Sequence, residues 1–210
     1  MAPMAGGVGR RQAGAVLLVV LVTLVIVLLL GVSASQMALQ GERAARGERD
    51  RHIAFQAAEE ALMDAENDIE GNGTMPARSA LFAHDSALGF TDGCGAGLAS
   101  DTLGLCLHAA TGAAPVWHSI DFADDDAGSA RSVPFGHFTG ARMETGNGFL
   151  PFKRPRYIIE LVPYTKAGED AATQRQYCYR VTAFGFGASA ASQVVLQSFY
   201  RRRMAPGGTP

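Results

Sequence analysis

Residues 15–32 read AVLLVVLVTLVIVLLLGV, and this stretch decides the architecture. It holds seven Val, seven Leu and one Ile, with only Ala15, Thr23 and Gly31 besides. Around it, residues 12–41 carry no charged side chain, a run of 30. A bilayer core asks for roughly 20 apolar residues in one helix, so the stretch predicts a membrane span over about 15–35. A buried helix of a soluble protein rarely reaches this length and purity. Upstream, Arg10 and Arg11 stand without any acid among residues 1–14. Positive charge is retained on the cytoplasmic side, which places the N-terminus inside and exports the chain beyond about residue 40.

A secretory signal has the same polarity but a shorter apolar region, about 7–15 residues, ending at small side chains. Gly31-Val32-Ser33-Ala34-Ser35 offers such residues, so cleavage after Ser33 or Ser35 is an alternative. The chain beyond argues for a continuing helix. After Val32 no proline occurs before Pro76, and residues 36–70 are rich in Ala, Glu, Arg, Gln and Leu, all good helix formers. Phe55, Ala58, Leu62, Ala65 and Ile69 recur at alternating steps of three and four. They predict the packing face of an amphipathic part over about 36–70. Glu59, Glu60, Asp64, Asn67 and Asp68 are expected on the opposite, solvated side. Gly71-Asn72-Gly73 predicts the helix stop. A helix over 15–70 would be on the order of 80 Å long, with Gly31, Gly41 and Gly47 as its weak points.

The 210-residue chain has a mass of 22.1 kDa, which suits one domain plus an accessory segment. Lys and Arg total 18 against 20 Asp and Glu, a net charge of -2. That excludes the cationic excess of a nucleic-acid binder and argues against an acidic disordered chain. Residues 72–150 are loop-rich, with Gly, Ala, Ser and Asp interspersed and little periodicity. Strand signals follow at 157–162 (YIIELV), 176–184 (QYCYRVTAF) and 193–200 (QVVLQSFY), β-branched and aromatic. Turn-rich links between them predict an antiparallel meander, and residues 204–210 read as a frayed tail. One long helix packed on such a sheet is an α+β class.

Several patterns invite sharper readings. Gly185-Phe186-Gly187-Ala188-Ser189-Ala190 matches G-x-G-x-x-A after a strand. A dinucleotide site needs a following helix and a whole βαβ unit, and the next segment reads as a strand, so a hairpin link is expected. Asp121 with Asp124-Asp125-Asp126 offers oxygen ligands for Ca²⁺, but the spacing is not that of an EF-hand and a solvated acidic loop fits better. His52, His84, His108, His118 and His137 are scattered without metal or catalytic spacing. Trp117-His118 reads as semi-core or as an exposed recognition loop. Arg201-Arg202-Arg203 reads as a solvated strand end, with a contact to a neighbouring subunit as the alternative. No catalytic residue, metal site or cofactor is expected.

Arg11-Gln12-Ala13-Gly14-Ala15-Val16-Leu17-Leu18, opening a long apolar helix, resembles the class III leader of type IV pilins. Gly41-Glu42-Arg43-Ala44, Arg49-Asp50-Arg51 and Ala54-Phe55-Gln56-Ala57-Ala58-Glu59-Glu60-Ala61-Leu62 look like the N-terminal region of the PilX minor pilins. Tyr179-Arg180-Val181-Thr182-Ala183 and Gln193-Val194-Val195-Leu196-Gln197-Ser198 resemble the closing strands of that family. Cys94 with Gly104-Leu105-Cys106 is similar to its cysteine pair. These two also lie in one Gly-rich stretch of an exported chain, where disulfides persist. The pair Cys94–Cys106 is therefore favoured, with Cys178 left as a free thiol on a strand.

The resemblance covers residues 11–70 and 155–202 and implies a pilin-like fold. The implied parts are a leader over 1–14, a long helix over 15–70, an exported domain over 71–203 and the tail. It implies prepilin peptidase cleavage between Gly14 and Ala15 and N-methylation of Ala15. It also implies a minor pilin role in pilus assembly, at or near the tip in a priming complex that supports adhesion or twitching. Implied partners are the membrane, other minor pilins, the major pilin, the assembly platform and a tip adhesin, with no direct nucleic acid. The implied location is the inner membrane, single-pass, then the pilus. One position departs from the major-pilin pattern. Those subunits carry Glu at the fifth mature position, and here that position is Val19. A type II secretion pseudopilin and an uncleaved bitopic envelope enzyme or sensor are the competing readings.

Overall fold

The computed structural model describes residues 13–72, 76–82, 86–164 and 176–202. Most of the expected leader, together with Gly73, His84, Arg203 and the tail over 204–210, lies outside these residues. The chain divides into two compact units, Met1–Arg46 and Gly47–Pro210.

Helix α1 runs over Ala13–Glu70 without a break at Gly31, Gly41 or Gly47. It ends where the glycine signal places the stop. Gly71 adopts a φ of 79°, its N–H donates to the Asp68 carbonyl at 3.1 Å, and the Asn72 N–H donates to the Asn67 carbonyl at 3.0 Å. These are the paired bonds of a Schellman motif, which satisfy carbonyls that the helix end would leave open.

In the Gly47–Pro210 unit a four-residue helix, α2, follows at Pro76–Ser79. Short strands β1 (Leu105–Leu107) and β2 (Val133–Pro134) come next, with a single 3-10 turn at Val116–Ser119 between them. The three anticipated strands are β3 (Arg156–Tyr164), β4 (Gln176–Phe186) and β5 (Gln193–Tyr200). They pair antiparallel in sequence order, with Ile159 opposite Val181 and Val181 opposite Ser198. The sheet order is β1-β3-β4-β5, with β2 also on β3. The antiparallel meander is as expected, and β1 adds to it a strand parallel to β3 at one edge. A parallel pair needs a long crossover, and residues 108–155 supply it.

Strand alternation sorts the core into two layers. Tyr157, Ile159 and Leu161 face Tyr179, Val181 and Ala183, and pack with Ala61, Ala65 and Ile69 of α1. On the reverse face Ile158 packs with Cys94, Cys106, Val116, Ile120 and Phe122. Trp117 is partly buried against this second cluster, its ring edge-on to His118 at 4.1 Å.

The predicted helix face needs correction at one end. Ala58, Ala65 and Ile69 are fully buried, and Leu62 is half-buried against the core. Phe55, however, is 40% exposed. The buried stripe runs instead through Ala54, Ala57, Ala58 and Ala61. The helix comes so close to β4 here that only small side chains fit between, and a phenylalanine is turned aside. Asp64 and Asp68, expected in water, are 2% and 4% exposed.

Candidate functional site

Two regions bear on function: the apolar part of α1, and the face of α1 that the globular unit grips. In the first, every residue over 15–32 is exposed and none is buried. Two of its hydroxyls bond back to the helix itself. The Thr23 hydroxyl donates to the Val19 and Val20 carbonyls at 3.0 and 2.9 Å, and the Ser33 hydroxyl to the Leu29 carbonyl at 2.9 Å. Hydroxyls that bond back to their own helix fit a hydrocarbon environment. Gly14 and Ala15 lie in the first turn of α1, and Val19 stands 58% exposed one turn on.

In the second region small residues set the distance. A Cβ on Gly185 would run into the Ala54 carbonyl oxygen and the Ala58 nitrogen, and one on Gly187 would meet Asp50. The G-x-G-x-x-A pattern is thereby accounted for. Its glycines admit the helix backbone, and residues 187–192 form the link between β4 and β5 as expected. The amides of that link serve an anion, the Asp50 carboxylate. Its Oδ1 accepts from the Ala188 N–H and from the Ser189 N–H at 3.2 Å, and its Oδ2 from the Ser189 hydroxyl at 2.7 Å. Burial opposes ionisation of Asp50, but these bonds and one from Ser192 outweigh it and hold the carboxyl below its usual range.

Deeper lie two acids on the alanine stripe. Asp64 accepts from the Gly136 N–H at 2.7 Å and from the Thr139 hydroxyl. Burial pushes its carboxyl up in spite of those bonds. Asp68 meets Arg78, whose Nε lies 2.9 Å from both carboxylate oxygens, and accepts from the Tyr157 hydroxyl at 3.0 Å. Burial raises Asp68 against the pull of the Arg78 charge. It also lifts Tyr157 well above the ordinary phenol range, helped by the Asp68 charge. Arg78 is 1% exposed, donates to the Asp101 carbonyl and lies 3.6 Å from the Phe138 ring centroid. These contacts staple the end of α1 to α2 and β3.

Sequence reasoning missed Ala54, Ala57, Ala61, Asp50 and the Asp64–Asp68–Arg78 group. Two signals pointed to the last. Both acids fall in phase with the alanine stripe, and Arg78 is the only Lys or Arg between Asn72 and Ala130.

Cys94 and Cys106 are bonded to each other, and Cys178 is a half-buried free thiol whose pKa burial raises. The acidic loop spends its carboxylates on its own fold. Asp125 pairs with Lys153 and with Arg156, each at 2.6 Å, while Asp126 accepts from the Gly128 and Ser129 amides at 2.9 and 3.0 Å. Asp124 accepts from the Ser129 hydroxyl at 2.8 Å. Arg202 departs from the solvated strand end expected for it: it donates to the Ser79 and Phe82 carbonyls at 3.0 and 3.1 Å. No cluster of three or more metal-ligating side chains occurs among the described residues.

A family model described as PilX N-terminal matches residues 13–62. A second, described as type IV pilus assembly protein PilX C-term, matches residues 102–202. No curated protein and no solved structure matches the chain. The N-terminal match takes in the apolar helix and most of the alanine stripe, and the C-terminal match takes in the whole sheet. With each half matched by its own model, in chain order and over more than two thirds of the residues, the chain belongs to the PilX family of type IV pilus assembly proteins.

Proposed function

We propose that this minor pilin acts at or near the pilus tip, within a complex of minor pilins that primes fibre assembly. The family is one of structural pilus components rather than enzymes, and its apolar helix fits a membrane-anchored protein. The observation that carries tip placement is Val19. In the related major pilins an acid at this place neutralises the terminal ammonium of the subunit ahead. An ammonium buried without a partner is costly, so a subunit with valine here docks poorly beneath another and well above all of them.

On this reading prepilin peptidase removes residues 1–14, cutting between Gly14 and Ala15, and Ala15 becomes N-methylated. The protein waits in the inner membrane with its N-terminus cytoplasmic and its globular unit periplasmic, and the assembly platform then draws it into the fibre. Its partners are the other minor pilins, the major pilin and a tip adhesin, and the role downstream is adhesion or twitching.

The decisive experiment is Val19→Glu, with the variant located along sheared pili by immunogold labelling. The expected result is label spread along the shaft. Label confined to fibre ends, as for the parent protein, would remove the basis for tip placement.

A further inference from the structure

The two edges of the sheet are finished differently. At the β1 edge Leu105 and Cys106 are fully buried, and Thr91 and Gly95 bridge to Cys106 and Leu103. At the other edge no residue of β5 is buried, and Phe199 is 68% exposed. The phase of the hydrogen bonds tells what that edge presents. The Gly187 N–H donates to the Ser192 carbonyl at 2.8 Å, and this pair continues the β4–β5 register, in which Phe186 lies opposite Gln193. Bonded pairs alternate along an antiparallel ladder, so Val194, Leu196, Ser198 and Tyr200 turn their N–H and C=O towards β4. Gln193, Val195, Gln197 and Phe199 turn theirs outward, where no backbone partner meets them among the described residues.

Natural sheets guard such an edge with a charge, a proline or a bulge. QVVLQSFY over 193–200 carries no charged residue and no proline, and its register on β4 runs unbroken. An open, uncharged edge of this kind is a template for a further strand.

Charge selects the occupant. Residues 171–210 contain Arg175, Arg180, Arg201, Arg202 and Arg203 and not one Asp or Glu. Arg180 is paired with the buried Glu160, whereas Arg201, just past the end of β5, has no carboxylate partner among the described residues. Arg201 is exposed, donates to the Gln176 side-chain oxygen at 2.9 Å and lies 5.1 Å from the Tyr164 ring centroid. A second copy of this chain does not suit the edge. β5 runs alongside α1 in the same direction, from the turn on Asp50 to the Tyr200 hydroxyl on Glu70. Copies with parallel helices would lay β5 beside β5 with their arginine ends together, like charge on like.

We propose that β5 accepts an extended segment of a different protein as an added antiparallel strand, with a carboxylate of that segment beside Arg201. Antiparallel pairing is the stronger geometry, and it puts the acid at the N-terminal end of the guest. Val195 and Phe199 gain apolar cross-strand neighbours on the face away from α1. The inference goes beyond the place of this subunit in the fibre and does not depend on it.

The probe is a fluorescent peptide, Glu-Glu-Thr-Val-Thr-Val-Thr-Val with both ends blocked, titrated against the full chain in detergent. Paired antiparallel, its valines face Phe199, Gln197 and Val195, and its second Glu falls beside Arg201. N-methylation of the valines removes the donors aimed at β5 and should weaken binding about tenfold or more, while N-methylation of the threonines should cost no more than about twofold. Val195→Pro removes one outward N–H and spares the ladder to β4. It should cost about tenfold, and Val195→Ala, which keeps the N–H, about twofold at most. Arg201→Glu should weaken the peptide about two- to fivefold, and a peptide opening on Lys-Lys should restore the binding. Circular dichroism checks the fold of each variant, and the N-methylated peptides test the edge without altering the protein. Equal binding of the two N-methylated peptides, or no saturable binding of the parent peptide, would overturn the proposal. So would a folded Val195→Pro variant that binds as the parent does, or a full chain that dimerises through β5.

Discussion

Helix α1 is used in two opposite ways along its length. Between residues 16 and 32 its large apolar side chains are 45% to 73% exposed. Between residues 54 and 69 the buried positions are held by alanines, one isoleucine and two aspartates. The stretch with the most apolar surface thus has no buried position among the described residues, and the stretch with little of it is the one that is gripped. Hydrophobicity alone does not decide which part of a helix packs within its own chain. Large side chains outside the fold call for lipid or other helices. Small ones let a backbone reach a strand closely enough for buried carboxylates to find fixed donors.

The sharpest way to break this contrast is Asp68→Ala, which leaves the Arg78 guanidinium buried without its charge partner. Unfolding of the full chain in detergent, followed by urea titration, should show a loss of about 3–5 kcal/mol. A loss under about 1 kcal/mol would place the pair among exposed ones and undo the account of the gripped face. Replacing Cys94 and Cys106 together by Ser should come next, at roughly 2–3 kcal/mol for so short a loop, read from the same titration. That change leaves α1 and its stripe intact, so it separates the two faces of the sheet.

The smallest effect is in the pH profile. Burial raises the Asp64 carboxyl in the folded protein above its ordinary pKa of 3.8. Its contribution is therefore full below pH 3.8 and fades as pH rises through the folded pKa, because the folded state holds the proton more tightly. Asp50, lowered by its hydrogen bonds, works in the opposite sense: its contribution holds above pH 3.8 and is lost as pH falls through its folded pKa. Unfolding midpoints measured from pH 3 upward should show Asp64→Asn removing the part that falls with rising pH. An unchanged slope would mean that the Asp64 carboxylate is hydrated after all.

Much of this was legible beforehand because it rests on local signals. The apolar run, the glycine stop at Gly71, the strands around Ile159, Val181 and Val195, and the cysteine pair each announce themselves within a few residues. The gripped face did not, because periodicity weighs Phe55 as the strongest apolar residue on the helix. Whether it is buried depends on how near β4 lies, and that distance is set by Gly185, far away in sequence. Asp64 and Asp68 looked solvated for a related reason. Their donors, Gly136, Thr139, Arg78 and Tyr157, come from loops and a strand whose positions no local pattern specifies. Strands of three and two residues, β1 and β2, offer too short a run to show any alternation.

The Asp50 carboxylate in the turn between β4 and β5 also orders events in time. Asp50 and Ser189 are 139 residues apart, so the turn emerges long after the helix that completes it. Until then the Asp50 carboxylate lacks the donors of Ala188 and Ser189, and the packing face of α1 has no cover. Contacts this distant close slowly, and a chain synthesised from its N-terminus carries an unshielded helix in the meantime. A shortened protein that begins at Gly47 retains the carboxylate and should close its sheet. One that begins after Ala54 loses the group the last turn folds around, and its C-terminal strand should be the first segment a protease removes.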